Sequence, residues 1–153
     1  MRLEGERGSA ALEFIAVGLI LIVPLAYLVL ALGVVQERLL GAQTAARTVA
    51  RTVSAARDVE EAEARAGQAL ASVIAEYGLD EERTGIAMRC IPVDGEQAVT
   101  GGPCPTPGAL LVVTVRTEAA LPLVPPLFGL DRLARIPVEA SAAYRVSRSW
   151  GTG

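Results

Sequence analysis

Three residue types bound the chemistry open to this chain. The first is histidine, which is absent from all 153 residues. Its absence removes the commonest general base, and with it the usual catalytic triads and most zinc sites. The second is cysteine, present only as Cys90 and Cys104. Two thiols without a histidine are too few for a structural zinc site. They read as a disulfide if this region lies outside the cytoplasm, and otherwise as two free thiols. The third is carboxylate. No spacing in the chain brings two acidic side chains together as an acid and base pair, and there is no nucleophile elbow. The residues therefore argue against an enzyme, and no catalytic, cofactor-binding or metal-binding residue is assigned. One carboxylate still stands out. Glu13 sits with Phe14 at the leading edge of a long uncharged apolar stretch.

That stretch covers residues 15–35. A run of about 20 apolar residues crosses a bilayer as a helix, so residues 9–36 are expected to form a transmembrane helix. Pro24 falls in its middle, removes one backbone donor and leaves the carbonyl of Ile20 short of its partner. A carboxylate at a bilayer centre costs roughly 2.5–3.5 kcal/mol, and less near the interface. Glu13 therefore reads either as an ordinary headgroup-level residue or as a group with a specific partner. The eight residues before the span hold Arg2, Glu4, Glu6 and Arg7. They are too few and too mixed in charge for an ordinary secretory n-region, and the apolar run is longer than a secretory h-region. Arg2 and Arg7 favour an N-terminus inside, whereas Arg38, Arg47 and Arg51 pull the other way.

Gly8, four residues, Glu13, Phe14 and a long apolar run resemble the class III signal peptide of prepilins. The Gly-x4-Glu-Phe form is similar to that of TadE-like pseudopilins of the tight-adherence (Flp-type) pilus system. The resemblance implies cleavage by an aspartyl prepilin peptidase on the cytoplasmic side, between Gly8 and Ser9. The span stays on the mature protein, and Glu13 becomes its fifth residue. The family's glutamate is expected to pair with the new amine of a neighbouring subunit, which offsets two desolvated charges together. Gly8 and Ser9 are thus the expected processing site, and Glu13 and Phe14 the expected subunit-pairing motif.

Beyond the span, residues 42–77 are rich in alanine and free of proline, which favours helix. Val49, Val53 and Ala56 recur at helical spacing, as do Leu70, Val73, Ile74 and Tyr77. Arg57, Glu61 and Arg65 are four apart and can pair along one solvated face. Gly78 suits a helix C-terminus, with Leu79 closing a Schellman stop. If continuous, a helix from Ser9 to Tyr77 would be about 100 Å long at 1.5 Å per residue.

The remainder reads as a small sheet. Residues 84–93 form a short expected strand, and residues 94–108 a Gly/Pro loop bracketed by Cys90 and Cys104. Residues 109–119 are β-branched and continuous, the strongest strand pattern in the chain. Residues 136–146 alternate: Ile136, Val138, Ala140, Ala142, Tyr144 and Val146 face one way, and Glu139, Ser141, Arg145 and Ser147 the other. Pro137 marks an edge strand or a strand start. Between these strands lies an apolar, proline-rich connection, residues 121–133, which either packs over the sheet or offers a contact surface. This order of strand, apolar connection and Ala/Ser/Arg-rich strand also resembles the C-terminal part of TadE-like proteins.

The expected fold is α+β: a long N-terminal helix followed by a small antiparallel sheet of about three strands, pilin-like. Its parts are a leader (1–8), a transmembrane helix (9–36), an extracytoplasmic amphipathic helix (37–78) and a β-rich head (79–153). The net charge of −3 argues against non-specific nucleic-acid binding. The resemblance implies a minor pseudopilin in the cytoplasmic membrane, single-pass, N-terminus inside and head outside, in or at the base of a pilus. Its partners would be the prepilin peptidase, other pilins and pseudopilins, an inner-membrane assembly platform and the lipid bilayer. The alternative is an unprocessed, membrane-anchored binding module that recognises a partner through residues 121–133.

Overall fold

One helix forms the spine of the molecule. In the computed structural model, which describes residues 7–92, 104–124, 127–148 and 150, helix α1 spans Arg7–Ser54 and runs through Pro24 without ending. The side chains of residues 7–10, the leader before Arg7 and most of the Gly/Pro loop lie outside the described residues. The helix expected to continue to Tyr77 does not. The chain turns over residues 55–58, and helix α2 (Val59–Tyr77) returns antiparallel along α1.

The reason for the break is local and written in four residues. Asp58 is extended and caps α2: its Oδ1 accepts the backbone N–H of Glu61 at 2.7 Å. Glu61 reaches back, and its Oε2 accepts the N–H of Arg57 at 2.7 Å. This is a capping box shifted by one residue, and it satisfies donors that a new helix start would leave bare. The expected pairing of Arg57, Glu61 and Arg65 does form, at 3.2 and 2.8 Å. It clamps a corner and does not decorate a continuous face.

The far end of α2 stops as expected. Gly78 takes a left-handed conformation at φ 57°, and Leu79 donates its N–H to the carbonyl of Ile74 at 3.0 Å. Leu79 is buried. Arg38 of α1 donates to the carbonyls of Tyr77 and Gly78, so α1 supplies partners for the frayed end of α2. Gly41 allows the approach. A Cβ there would lie 3.0 Å from Tyr77 Cβ and 3.1 Å from Leu79 Cδ2.

The sheet is antiparallel in the order β1-β2-β3, with β1 Gly85–Ile91, β2 Leu110–Ala120 and β3 Arg135–Arg145. A 3-10 turn, Glu81–Arg83, leads from α2 into β1. The register pairs Cys90 with Leu111, Val115 with Ala140 and Arg116 with Glu139. Odd-numbered β2 residues from Leu111 to Ala119 are all buried. Opposite them on β3, Val138 and Ala140 are buried, whereas Ile136 and Tyr144 stay over one-third exposed near the ends of this edge strand. On the outer face Thr114 pairs with Ser141 and Arg116 with Glu139, at 2.9 and 2.8 Å. Pro137 lies on β3, where it needs no donor on the outer side.

Three layers result: α2, then the second half of α1, then the sheet. Ala42, Ala45, Ala46, Val49, Ala50 and Val53 are wholly buried. At about 100° per residue they cover roughly 140° of the helix circumference, because both neighbours press on α1. Their small size lets the backbones approach closely. Among the described residues the fold is thus α+β, a long apolar N-terminal helix followed by a three-stranded antiparallel sheet.

Candidate functional site

The first half of α1 is the reverse of the second. From Leu12 to Leu32 its large side chains are exposed; Phe14 is 80% and Ile20 73% exposed. No described part of the chain covers this stretch, which is long and apolar enough to cross a membrane. Packing against the head begins only at Val34 and Val35, which are partly buried against the core. Arg38 then anchors the end of α2.

Glu13 and Phe14 sit near the free end of this exposed segment. Glu13 is exposed and makes no hydrogen bond or ion pair with a described residue. Phe14 lies beside it, also without a packing partner. The backbone at Gly8 and Ser9 is helical, the bond between them falling in the first turn of α1. Glu13 and the Gly8–Ser9 bond are therefore brought to one helix end, with about one turn between Ser9 and Glu13. From Gly41 onward one side of α1 after another is occupied by its own α2 and sheet. Residues 11–33 are the stretch of α1 left open along a broad face to a neighbouring helix.

Cys90 and Cys104 are joined in a disulfide, with Cα atoms 5.7 Å apart. The bond ties the end of β1 to the segment that enters β2. Closing a loop of about 15 residues contributes roughly 3 kcal/mol in the chain-entropy model. The head has small side chains and needs such a tie.

The helix corner holds the most perturbed acid. Glu61 accepts hydrogen bonds from the Arg57 side chain and backbone and lies beside Arg65, which together hold its carboxyl down to about 2. Its partners are structural, and no described group of three or more acidic or cysteine side chains is arranged to hold a metal. The described surface depressions are open. One of them is lined by Pro92, Thr106, Pro107, Gly108, Ala109, Arg145 and Arg148, and carries no acidic side chain.

No protein-family model, characterised protein or solved structure matches this chain. The functional reading accordingly rests on the residues and their placement.

The connection after β2 is the feature whose role the sequence left open. Its described large side chains at Leu123, Leu127, Phe128 and Leu133 do not pack over the sheet. Leu123 and Leu133 are 80% and 83% exposed, and Phe128 is fully so. Leu121 donates to the carbonyl of Ala134 at 2.9 Å and closes the loop at its neck. A short helix, α3 (Leu130–Leu133), follows Gly129. Of the two roles left open for it, the described residues show an exposed apolar surface.

Proposed function

We propose that the protein is a minor, TadE-like pseudopilin: a structural subunit of a tight-adherence pilus or a related secretion machine. In this reading a prepilin peptidase cuts between Gly8 and Ser9 on the cytoplasmic side. The mature chain is held in the cytoplasmic membrane by the first half of α1, with the head outside. Other pilins and pseudopilins, or an inner-membrane assembly platform, then receive the exposed helix into a bundle. Glu13 pairs with the free amine of a neighbour and sets the register.

The observation that carries this reading is the division of α1. An exposed apolar half, led by Glu13 and Phe14, is continuous with a half locked into a small α+β head. A simple anchor needs the first property. A subunit that leaves lipid for a helical bundle needs both, because pulling on the helix must move the head without unfolding it.

The test is the mass of the mature N-terminus after co-expression with a prepilin peptidase. The expected chain begins at Ser9. A chain still beginning at Met1, or one cut after Gly33, overturns the reading.

The exposure of Leu123, Leu127, Phe128, Leu130 and Leu133 favours a second reading, an unprocessed anchored module that binds a partner through residues 121–133. It predicts an intact Gly8–Ser9 bond and no dependence on Glu13.

A further inference from the structure

We infer that the connection between β2 and β3 is a second membrane contact, which seats the base of the head in the outer surface of the bilayer that α1 crosses. The inference rests on the reading of the first half of α1 as a membrane span.

Placement is the first argument. The C-terminal end of α2 lies against Arg38 and Gly41 of α1, close to where the apolar run ends. From there the chain travels only a few residues to the sheet. Arg83 pairs with Glu118 at 3.1 Å, and Thr84 shares a buried hydrogen bond with Thr117 at 2.9 Å. The C-terminal end of β2 is thus at the span side of the head. The opposite end carries Gly108, Ser147 and Arg148, and there Trp150 donates its N–H to the carbonyl of Ser147. About ten residues of strand, roughly 33 Å, separate the two ends. The connection leaves from Ala120 and returns at Arg135, paired residues at the span side. Val34 and Val35, the last apolar residues of the run, are already packed against the core at this end.

Conformation is the second argument. Leu123 and Phe128 both adopt left-handed backbone angles, φ 63° and 56°. For bulky residues this is unfavourable, and it persists only where the surroundings require it. In each case the outcome is an apolar side chain held out from the head.

Chemistry is the third. Leu123, Leu127, Phe128, Leu130 and Leu133 are exposed together, with Arg132 exposed among them. Large apolar side chains with an adjacent cation suit the boundary between acyl chains and anionic headgroups. At the opposite end of the head such a patch would meet water. At this end it meets the plane where α1 leaves the bilayer, so lipid, and not a protein partner, is the occupant that the placement favours.

The experiment uses the full chain in vesicles of phosphatidylethanolamine and phosphatidylglycerol, with a nitroxide quencher on lipid chains near the headgroup or deeper. Native Trp150 provides the membrane-distal reference and stays unquenched by either lipid. Phe128→Trp adds emission that the shallow quencher removes and that aqueous acrylamide hardly touches. Leu133→Trp does the same, which guards against a fault peculiar to the strained Phe128 position. Leu25→Trp reports the span through the deep quencher. If Leu25→Trp is quenched by lipid while Phe128→Trp and Leu133→Trp are quenched only by acrylamide, the connection faces water or a protein partner and the inference falls. If Leu25→Trp is itself untouched by lipid quenchers, the membrane span falls and the inference with it.

Discussion

Gly41 gives a test of the α1–α2 hairpin in which the difference from a matched glycine decides. In a helix that simply ran on past the membrane, Gly41→Ala would stabilise by about 0.8–1.0 kcal/mol, because alanine is the better helix former. In the hairpin the new Cβ would lie 3.0 Å from Tyr77 Cβ, 3.1 Å from Leu79 Cδ2 and 3.2 Å from Tyr77 Cγ. Tyr77 has little room to retreat. Its carbonyl accepts from Arg38 at 2.8 Å, and the next residue is the Gly78 cap. Overpacking of this kind costs about 1–3 kcal/mol. Gly67→Ala is the matched reference: it lies on α2 with nothing within 4 Å of the place its Cβ would take, so it keeps the propensity gain and adds no clash. The two variants should therefore differ by about 1–3 kcal/mol, with Gly67→Ala the more stable. Urea unfolding of the full chain in a mild detergent, followed by circular dichroism, reads the difference. In a Tyr77→Gly background, which removes both Tyr77 Cβ and Cγ and leaves only the contact to Leu79 Cδ2, the penalty at Gly41 should shrink, since contacting residues couple. Equal stabilisation by Gly41→Ala and Gly67→Ala would refute the hairpin and restore one continuous helix.

Two further predictions concern the acids. Glu61, held down to about 2 from an ordinary value of 4.5 mainly by the Arg57 side-chain hydrogen bond, contributes stability that is fully present above pH 4.5 and is lost as pH falls through about 2. Carbon-detected NMR titration of its carboxyl should show the low midpoint, and Arg57→Ala should return it toward 4.5; an ordinary midpoint in the parent chain counts against the clamp. Glu13→Ala should leave membrane insertion intact, measured as protein resistant to carbonate extraction, while abolishing co-purification with partner subunits or fibres; unchanged incorporation would remove its pairing role.

Much of the fold was legible because its signals are local. The β-branched run of β2, the alternation of β3 and the Gly78 stop each follow from side-chain shape or backbone freedom within a few residues. The corner at residues 55–58 has a local signal, Asp58 followed three residues later by Glu61, but the sequence reading runs the helix straight through it. The signal is masked because the same Glu61 also stands four residues from both Arg57 and Arg65. That spacing suits a continuous helix as well as a capped corner, and the surrounding alanines favour either. The exposure of Leu123, Leu127, Phe128, Leu130 and Leu133 could not be read from composition. An apolar loop is buried or exposed according to where the strand ends fall relative to α1, which only the long-range pairing determines. The proposed pairing of Glu13 is illegible for a stronger reason: Glu13 makes no hydrogen bond or ion pair with a described residue, so the proposed cation would have to come from another chain.

Side-chain size suits one helix to the two environments of the proposed assembly, lipid or bundle for its first half and the head for its second. Between Leu12 and Leu32 the exposed residues are mainly Leu, Ile, Val and Phe. Lipid is as apolar as leucine, so these side chains gain no hydrophobic drive to associate while they remain in the bilayer. Between Gly41 and Val53 the buried residues are Gly, Ala and Val, small enough for α2 and the sheet to close on both sides. The head is thereby fastened through backbone proximity, a buried core and the Arg38 hydrogen bonds to Tyr77 and Gly78. Moving the first half from lipid to a helical bundle breaks none of these contacts. What changes on such a transfer is the setting of Glu13, which loses headgroup water and then requires a cation. Within the proposed assembly, the charge at the start of the helix selects the moment and register of transfer, and the small residues past Val35 let the head follow as a rigid body.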